Sequence, residues 1–372
     1  METRPYRSWV EISLAQIAQN FRNVQSAVGP RVEVMPVVKA DAYRHGAVEI
    51  SKTLAAHGAN WLAVSNVEEG IALRQAGIQT RILVMADFLP WSRQAMLEHN
   101  LTPVLPSLDD VRALDAMGTP THYHLKIDSG MGRLGTRAAA AEIFETVRSA
   151  KSARLEGLMT HFASVTNFNT RQTEEQEQSF FQICDYLRDA GAVPSYIHLA
   201  STGAIAHPRP ESWRSMVRPG ISIYGYVSPA RGKAPAQILE VKPALTWKAS
   251  VLTVKEVPAG ALIGYGGMYR APAAMRIAVI AVGYADGLPH RLSNRGHVIA
   301  AGKLLPILGA VSMDLTTIDA TPCPQLQPGD AVTLLGAEGE ATIDAQQIAR
   351  QAGTISYSVL CGISSRVKRI YI

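Results

Sequence analysis

Short runs of β-branched and apolar residues alternate with stretches rich in Ala, Glu, Gln and Leu from about residue 32 onward. This alternation is typical of βα units that build a parallel sheet. The apolar runs predict eight strands, at Val32–Val38, Trp61–Val64, Arg81–Met85, Leu101–Leu105, His122–Ile127, Leu155–Thr160, Tyr196–Leu199 and Met216–Arg218. Helices are predicted between them at Ala47–His57, Glu68–Gln75, Ser92–Glu98, Leu108–Met117, Ala138–Ala150 and Glu174–Ala190.

The number and spacing of these units favour a closed barrel. Eight strand and helix pairs are typical of a (β/α)8 barrel of TIM type, which we predict for residues 11–235. An open, doubly wound sheet is the alternative architecture. The predicted fold class is therefore α/β, with a further domain after the barrel.

The pattern changes after about residue 235, where helix formers thin out and Val, Ile, Thr and Gly rise between Pro and Gly turns. A mostly β domain is predicted over residues 236–372, and residues 1–10 are expected to add a strand that packs on it. Its predicted strands and single helix are Leu245–Val257, Ile277–Val282, His297–Ala300, Leu304–Val311, Leu315–Asp319, Ala331–Leu335 and the helix Ile343–Ala352.

Composition narrows the function classes. The 372 residues carry 36 Lys plus Arg against 31 Asp plus Glu, a net charge of +5 with both signs scattered, which does not indicate nucleic-acid binding. Three cysteines lie far apart, so neither a disulfide framework nor a thiolate metal site is predicted. No signal peptide or membrane-length apolar run is apparent, and the expected location is the cytoplasm.

Polar side chains follow the predicted barrel strands, at the end where barrels of this kind hold their chemistry. The ends of the first and fifth to eighth strands carry Lys39, Tyr43, Lys126, Asp128, Arg133, His161, Ser201 and Arg218. Ala200–Gly203 and Arg218–Ile221 pair small residues with expected helix starts, where backbone N–H groups bind anions. Both segments are also ordinary turn and cap material. These two segments therefore predict either a phosphate site or ordinary turns and helix caps.

Lys39 offers an amine that burial can make nucleophilic, although a lysine at a strand end is more often solvated. A phosphate cradle, a lysine and an arginine across one barrel mouth suggest pyridoxal phosphate, which needs a Schiff-base lysine and a partner for its ring nitrogen. Spacing alone leaves this hypothesis open.

Several segments resemble the alanine racemases, pyridoxal phosphate enzymes of fold type III. Val38–Gly46 is similar to that family's pyridoxal-lysine motif. The other matching segments follow in the family's order and are Lys126–Gly135, His161–Ala163, Val217–Gly225, Ile263–Gly266, Val282–Gly287 and Gly309–Asp314. The resemblance runs from about residue 8 to the C-terminus and includes a barrel followed by a β domain.

The resemblance implies roles for individual residues. It makes Lys39 the cofactor lysine and Arg218 the donor to the pyridine nitrogen, with His161 supporting the arginine. An arginine keeps its proton, so it holds that nitrogen unprotonated. The implied contacts to the cofactor phosphate are Tyr43, Ser201, Gly220, Ile221 and Tyr357.

Racemisation needs a base on each face of the substrate carbanion. The resemblance assigns one face to Lys39 and the other to Tyr265 of a neighbouring subunit, which implies a homodimer with shared active sites. Arg133 is the implied partner of Tyr265, and the Met313 amide is implied to hold the substrate carboxylate. The resemblance also implies a carbamate on Lys126, with an unmodified lysine as the alternative. It places Tyr284 in the substrate entrance channel. His290 stands where several relatives have an arginine, so the charge at the mouth of the channel is expected to differ from theirs.

The implied activity is interconversion of L-alanine and D-alanine, a small-molecule isomerase reaction that supplies D-alanine for cell-wall peptidoglycan, while a catabolic role stays open. A broader racemase that accepts serine is the nearest alternative. A non-enzymatic pyridoxal phosphate carrier consists of the barrel alone, so the predicted β domain argues against it. A decarboxylase of the same barrel class uses a Cys-Asp pair, which neither Cys323 nor Cys361 forms. No resident metal is expected.

Overall fold

The computed structural model describes residues 6–372 and divides the chain into two compact units. The barrel unit comprises residues 17–42 and 47–242, and the β unit comprises residues 6–16, 43–46 and 243–372. The domain limits 1–10, 11–235 and 236–372 stay a prediction, and the first five residues of the N-terminal segment lie outside the described residues. The first strand, β1, is Ser8–Ile12 and belongs to the β unit.

Eight parallel strands form the barrel unit. They are β2 Glu33–Val34, β3 Trp61–Val64, β4 Arg81–Val84, β5 Thr102–Leu105, β6 Thr121–Lys126, β7 Ala153–Met159, β8 Tyr196–His198 and β9 Met216–Val217. Strands β3 to β8 pair in sequence order, and β2 pairs with β9. Single bridges join Val37 to Ala63 and Ser201 to Arg218, which connects β2 with β3 and β8 with β9. The ring is closed, so the predicted (β/α)8 barrel is confirmed.

The first barrel strand is shorter than predicted. The expected strand Val32–Val38 is regular only at Glu33–Val34, with a single bridge further on at Val37. Pro36 explains the interruption, because proline has no N–H to donate to a neighbouring strand. Its carbonyl still accepts a hydrogen bond from the Ala63 N–H at 2.9 Å.

The helices follow the predicted βα alternation. Those of the barrel region are Leu14–Val28, Ala47–Ala56, Val67–Gln75, Arg93–Glu98, Leu108–Ala116, Ala140–Ser149, Gln172–Asp189 and Thr202–Ala206. Leu14–Val28 was not predicted, although Ile17, Phe21 and Val24 recur at helical spacing and are fully buried. Among residues 6–372, no helix combines the length and the hydropathy that a bilayer span requires.

The β unit is built on one sheet of nine strands, which confirms a mostly β second domain. Its further strands are β10 Leu245–Val257, β11 Leu262–Ile263, β12 Tyr269–Arg270, β13 Met275–Ile280, β14 His297–Ala300, β15 Lys303–Leu308, β16 Thr316–Asp319, β17 Ala331–Glu338, β18 Ala341–Ile343 and β19 Lys368–Tyr371. The order in the sheet is β18-β17-β14-β15-β16-β13-β10-β1-β19, and β11 and β12 form a separate hairpin. Its helices are Ala345–Ala352 and Ser356–Gly362.

Candidate active site

Lys39 follows the first barrel strand and begins a turn with left-handed backbone. The five residues from Ala40 to Arg44 all have φ between +52° and +68°, and none is glycine. Left-handed conformations cost L-residues about 1–2 kcal/mol each. Such a turn persists only where surrounding contacts hold it, and strained segments of this kind concentrate at functional sites.

Carboxylates hold the turn in place. One oxygen of Glu69 accepts the Ala40 N–H at 2.7 Å, and the other accepts the Ser65 N–H at 2.7 Å. Asp41 accepts the Ala47 N–H at 2.8 Å. Glu69 was not predicted as a site residue. The Asn66-x-x-Glu69 spacing looks like a helix capping box, but only the Asn66 half forms, and the Glu69 carboxylate reaches two strand-end loops instead.

Arg218 is buried at the end of β9, and its guanidinium is surrounded by acceptors. Nη1 donates to the His198 carbonyl and to His198 Nδ1, both at 2.8 Å. Nη2 donates to the carbonyls of Thr160 and Leu199 at 2.8 and 3.0 Å and lies 3.3 Å from His161 Nδ1. Burial lowers the pKa of Arg218 to about 9, so it remains charged at pH 7.

His161 lies beside this arginine, and its supporting role stays a prediction of the resemblance. Burial, followed by the charges of Arg218 and Lys126, lowers the pKa of His161 to about 3. The ring is therefore neutral at physiological pH and can accept a hydrogen bond from Arg218. Gln176 anchors the segment by donating to the His161 carbonyl at 3.0 Å and accepting the Ala163 N–H at 2.9 Å.

Lys126 ends β6 and is almost wholly buried. Burial, followed by the charges of Arg218, Arg133 and Lys39, lowers its pKa to about 8. The carboxyl end of the barrel therefore concentrates positive charge. Asp128 is the acidic neighbour that acts on Lys126, and its carboxylate pairs with Arg137 at 2.8 Å.

Asp128 also shapes the loop that carries Arg133. Its Oδ1 accepts the N–H groups of Gly130 and Gly132 at 3.2 and 2.9 Å. Arg133 itself is exposed. The loop returns to the strand end at Gly135, where φ is +123° and a Cβ would lie 2.6 Å from the Asp128 nitrogen, so only glycine fits.

The predicted phosphate contacts of the barrel unit lie side by side. Ser201 and Arg218 are bridged, so the loops after β8 and β9 are neighbours. The Thr202 hydroxyl links them, accepting the Gly220 N–H at 3.1 Å and lying 3.0 Å from the Ser222 hydroxyl. The Gly220 N–H is thus already engaged within the protein.

Two tyrosines predicted to contact phosphate lie together in the β unit. The rings of Tyr43 and Tyr357 have centroids 6.0 Å apart. Burial, and then the neighbouring Tyr357, raises the pKa of Tyr43 above its ordinary value. Tyr43 therefore keeps its proton and can act as a hydrogen-bond donor.

Tyr265 lies on an exposed loop of the β unit, with 76% of its surface accessible. The loop is held from behind at Gly264, where φ is +73° and a Cβ would lie 3.2 Å from the Ala310 nitrogen. Asn294 ties the same region together by accepting the Gly309 N–H at 2.6 Å and donating to the Met268 carbonyl at 2.9 Å.

Tyr284 and Met313 are neighbours through their backbones. The Tyr284 N–H donates to the Ser312 carbonyl at 3.0 Å, and the next N–H donates to the Met313 carbonyl at 3.0 Å. A Cβ on Gly283 would collide with the Met313 carbonyl oxygen. The rings of Tyr284 and His290 are 6.2 Å apart, so His290 also belongs to this surface.

Comparison with known proteins identifies the family. Residues 12–229 match the model of the alanine racemase N-terminal domain, and residues 244–371 match that of the alanine racemase C-terminal domain. The chain belongs to the alanine racemase family.

Individual alanine racemases are similar to this chain over nearly their whole lengths. The alanine racemase of Carboxydothermus hydrogenoformans is 41% identical, with 98% of this chain and 99% of that protein covered. The solved alanine racemase of Clostridium difficile 630 has a TM-score of 0.91 at 33% identity, with 99% and 96% of the two chains covered. The structure of the Bartonella henselae alanine racemase with covalently bound pyridoxal phosphate has a TM-score of 0.87 at 26% identity, covering 99% and 100%.

The predicted residues therefore fall into two sets in this alanine racemase family member. The barrel unit holds Lys39, Lys126, Arg133, His161, Ser201, Arg218, Gly220 and Ile221, and the β unit holds Tyr43, Tyr265, Tyr284, Met313 and Tyr357. The first set could be predicted because functional residues of a barrel lie at the carboxyl ends of its strands. The second set could be predicted only from its sequence motifs, because no such rule says which turns of a β domain carry functional residues.

Proposed function

We propose that the protein interconverts L-alanine and D-alanine with pyridoxal phosphate as its cofactor. Family membership supports the reaction, and the observation that carries it is the arrangement at the barrel mouth. Lys39 stands there on a strained, tightly held turn, and Arg218 is buried as a permanent donor. When bound, pyridoxal phosphate supplies an electron-withdrawing ring that acidifies the α-hydrogen of an amino acid.

The residues present fit this cofactor. Lys39, Lys126, Arg133 and Arg218 place positive charge at one end of the barrel, where an anionic group would relieve their repulsion. Ser201 and Ile221 sit on adjoining loops at that end, and Tyr43 and Tyr357 add a pair of phenol groups in the β unit. Hydroxyl and backbone donors of this kind suit a phosphate.

The chain's own residues have separate roles in the proposed reaction. Lys39 holds the cofactor and moves a proton on one face of the substrate, while Tyr265 moves a proton on the other. Arg218 donates to the ring nitrogen and does not release its proton at pH 7. Neutral His161 supports the arginine without adding charge. Met313 is the proposed holder of the substrate carboxylate, and Tyr284 lines the entrance with His290 beside it.

A carbamate on Lys126 is proposed as part of this site. Only a neutral amine reacts with carbon dioxide, and a pKa of about 8 leaves about a tenth of Lys126 neutral at pH 7. The modification replaces a cation by an anion beside Arg133. It would therefore reduce the repulsion that otherwise lowers the pKa of this lysine.

A homodimer is proposed because the face that carries Tyr265 is apolar and exposed. Tyr265, Tyr284 and Met313 have 76%, 46% and 53% of their surfaces accessible, and Leu262 and Met268 are also exposed. Large apolar side chains exposed in this number favour a protein partner. We propose that a second copy of the chain brings its own Tyr265 as the second base.

The proposed compartment is the cytoplasm, which agrees with the presence of three free cysteines. We propose that the D-alanine produced is used for peptidoglycan. Serine remains the second candidate substrate. A carrier protein without catalysis is disfavoured, because residues 244–371 match the racemase C-terminal domain.

The test is racemisation of purified protein with L-alanine, followed by optical rotation, together with a panel of other amino acids. Borohydride reduction and peptide mapping should place the cofactor on Lys39. Lys39→Ala should be inactive, whereas Lys52→Ala, which removes a surface ion pair with Glu49, should keep full activity. A label on another lysine, or no racemisation of any amino acid tested, would contradict the proposal.

A further inference from the structure

A chain of polar side chains leads from buried Arg218 through two buried histidines to Glu156 and the partly exposed Arg81. Arg218 Nη1 lies 2.8 Å from His198 Nδ1, and His198 Nε2 lies 2.8 Å from His124 Nδ1. His124 Nε2 faces Glu156 Oε2 at 3.8 Å. Glu156 in turn accepts two hydrogen bonds from Arg81, at 2.8 and 2.6 Å. These residues come from five different barrel strands or strand ends, and the racemase motifs do not include His124, Glu156 or Arg81.

The protons in this chain can point in only one direction. A guanidinium donates and never accepts, so His198 Nδ1 must accept from Arg218 and its proton must be on Nε2. His198 Nε2 then donates to His124 Nδ1, which places the His124 proton on Nε2, toward the Glu156 carboxylate. Both histidines are thereby fixed as neutral Nε2–H tautomers.

The surroundings keep water away from the two histidines of the chain. His124 and His198 are fully buried. The rings of Trp61 and Tyr196 lie 5.4 and 5.9 Å from the His124 ring, and the Arg81 guanidinium stacks 3.8 Å over Trp61. Burial lowers the pKa of each histidine, so both are neutral at pH 7. In a dry interior the direction of each hydrogen bond carries a large energetic weight.

We infer that Glu156 is a positioning residue for Arg218, which it orients through the tautomers of His124 and His198. The carboxylate offers only acceptor oxygens, so it favours a proton on the facing His124 nitrogen. A donor in its place would favour the opposite tautomer of His124 and then of His198. The His198 Nδ1–H would then oppose the Arg218 N–H, and the guanidinium would lose an acceptor. The predicted effect on catalysis rests on the proposed function, whereas the predicted tautomers of His124 and His198 are independent of it.

The tautomers can be read without any reaction. Long-range ¹H–¹⁵N correlation spectra of the holoenzyme, labelled with ¹⁵N in its ten histidines, distinguish the two neutral tautomers. Spectra of His124→Asn and His198→Asn assign the signals. Both residues should appear as Nε2–H tautomers in the wild-type protein. A His198 Nδ1–H tautomer in the wild type would overturn the inference before any variant of Glu156 is made.

The variant Glu156→Gln provides the second part of the test. Its single amide oxygen cannot satisfy both Arg81 donors and also face His124, so the His124 signal should change or split. Racemisation should fall by about 10- to 100-fold, the usual effect of removing a carboxylate that orients a functional histidine from behind. Glu156→Asp, which keeps the charge, should recover part of the rate.

Glu174→Gln is the matched control, because Glu174 pairs with Arg209 at 2.6 Å and touches none of the histidines in the chain. It should change neither the tautomers nor the rate. If Glu156→Gln leaves the tautomers unchanged, or changes them with a racemisation rate within twofold of wild type, the inference is wrong. If the wild-type protein shows both tautomers as expected but racemises no amino acid, the proposed function fails and the tautomer assignment stands.

Discussion

Glu69 is a single residue on which the position of Lys39, the proposed cofactor lysine, depends. Its carboxylate accepts two N–H groups, one from the segment after each of the first two barrel strands. Glu69→Ala leaves the left-handed turn without its main acceptor, so we expect the free energy of unfolding to fall by about 1–3 kcal/mol. Cofactor occupancy, measured from the visible absorbance per chain, should fall as well.

Glu68→Ala is the control for this change, because Glu68 is the exposed neighbour on the same helix. It should alter neither quantity. Equal occupancy in Glu68→Ala and Glu69→Ala would show that the turn is held by other contacts.

Buried histidines should make the protein sensitive to acid. The folded pKa of His161, about 3, is below the ordinary value of 6.5, so the unfolded chain binds more protons between these pH values. Stability therefore falls as pH decreases below about 6.5, by up to about 1.4 kcal/mol per pH unit for one histidine. Denaturant unfolding at pH 7, 5.5 and 4.5 measures the slope, which should be smaller in His161→Gln. Identical slopes in the two proteins would contradict a buried, neutral His161.

At the scale of elements, the loop after β6 depends on one glycine. Gly135→Ala would place a Cβ against the Asp128 backbone at a φ that only glycine adopts readily, so the loop that carries Arg133 must shift. We expect more than a tenfold loss of racemisation, since small displacements of a positioned group are costly. Gly118→Ala has a positive φ but open space around the new methyl group, and it should retain activity. Similar losses in both variants would indicate a general effect of destabilisation.

Most of the elements could be predicted from the sequence because buried strands and amphipathic helices leave local patterns. β3 was predicted with the bounds that it has, and β4 to β9 differ by one or two residues at either end. The helix Leu14–Val28 was missed although its apolar residues have a helical spacing. The short strands β11, β12, β18 and β19 and the helix Ser356–Gly362 were missed too. Segments this short do not repeat a period, and their pairing depends on partners far away in the chain.

The candidate site shows the same limit. Lys39, His161 and Arg218 could be proposed from the sequence because they follow strands directly and belong to motifs. Glu69 and Glu156 could not, because their importance comes from what they contact across strands, and the sequence does not record distances between strands. The left-handed turn was equally invisible, since Ala40 to Arg44 include no glycine that would mark it.

At the scale of the whole molecule, the proposed homodimer predicts complementation. Lys39→Ala and Tyr265→Ala chains should each be inactive. If the chains exchange at equal amounts, half of the dimers are mixed and each mixed dimer has one intact site of two, so about a quarter of wild-type activity should return. Mass spectrometry of differently tagged chains measures the exchange. No activity despite proven exchange would mean that both bases come from the same chain.

The position of β1 has a consequence for how the protein is made. It pairs with β10 on one side and with β19 on the other, although both of these strands are synthesised long after it. At translation rates of about 5–20 residues per second, the roughly 230 residues between β1 and β10 take about 10–50 s to appear. During that interval the ribosome has already delivered every barrel strand. Val10 and Ile12, which are fully buried in the folded protein, therefore remain without β10 during that interval and without β19 for longer, and we expect chaperones to bind this nascent segment meanwhile.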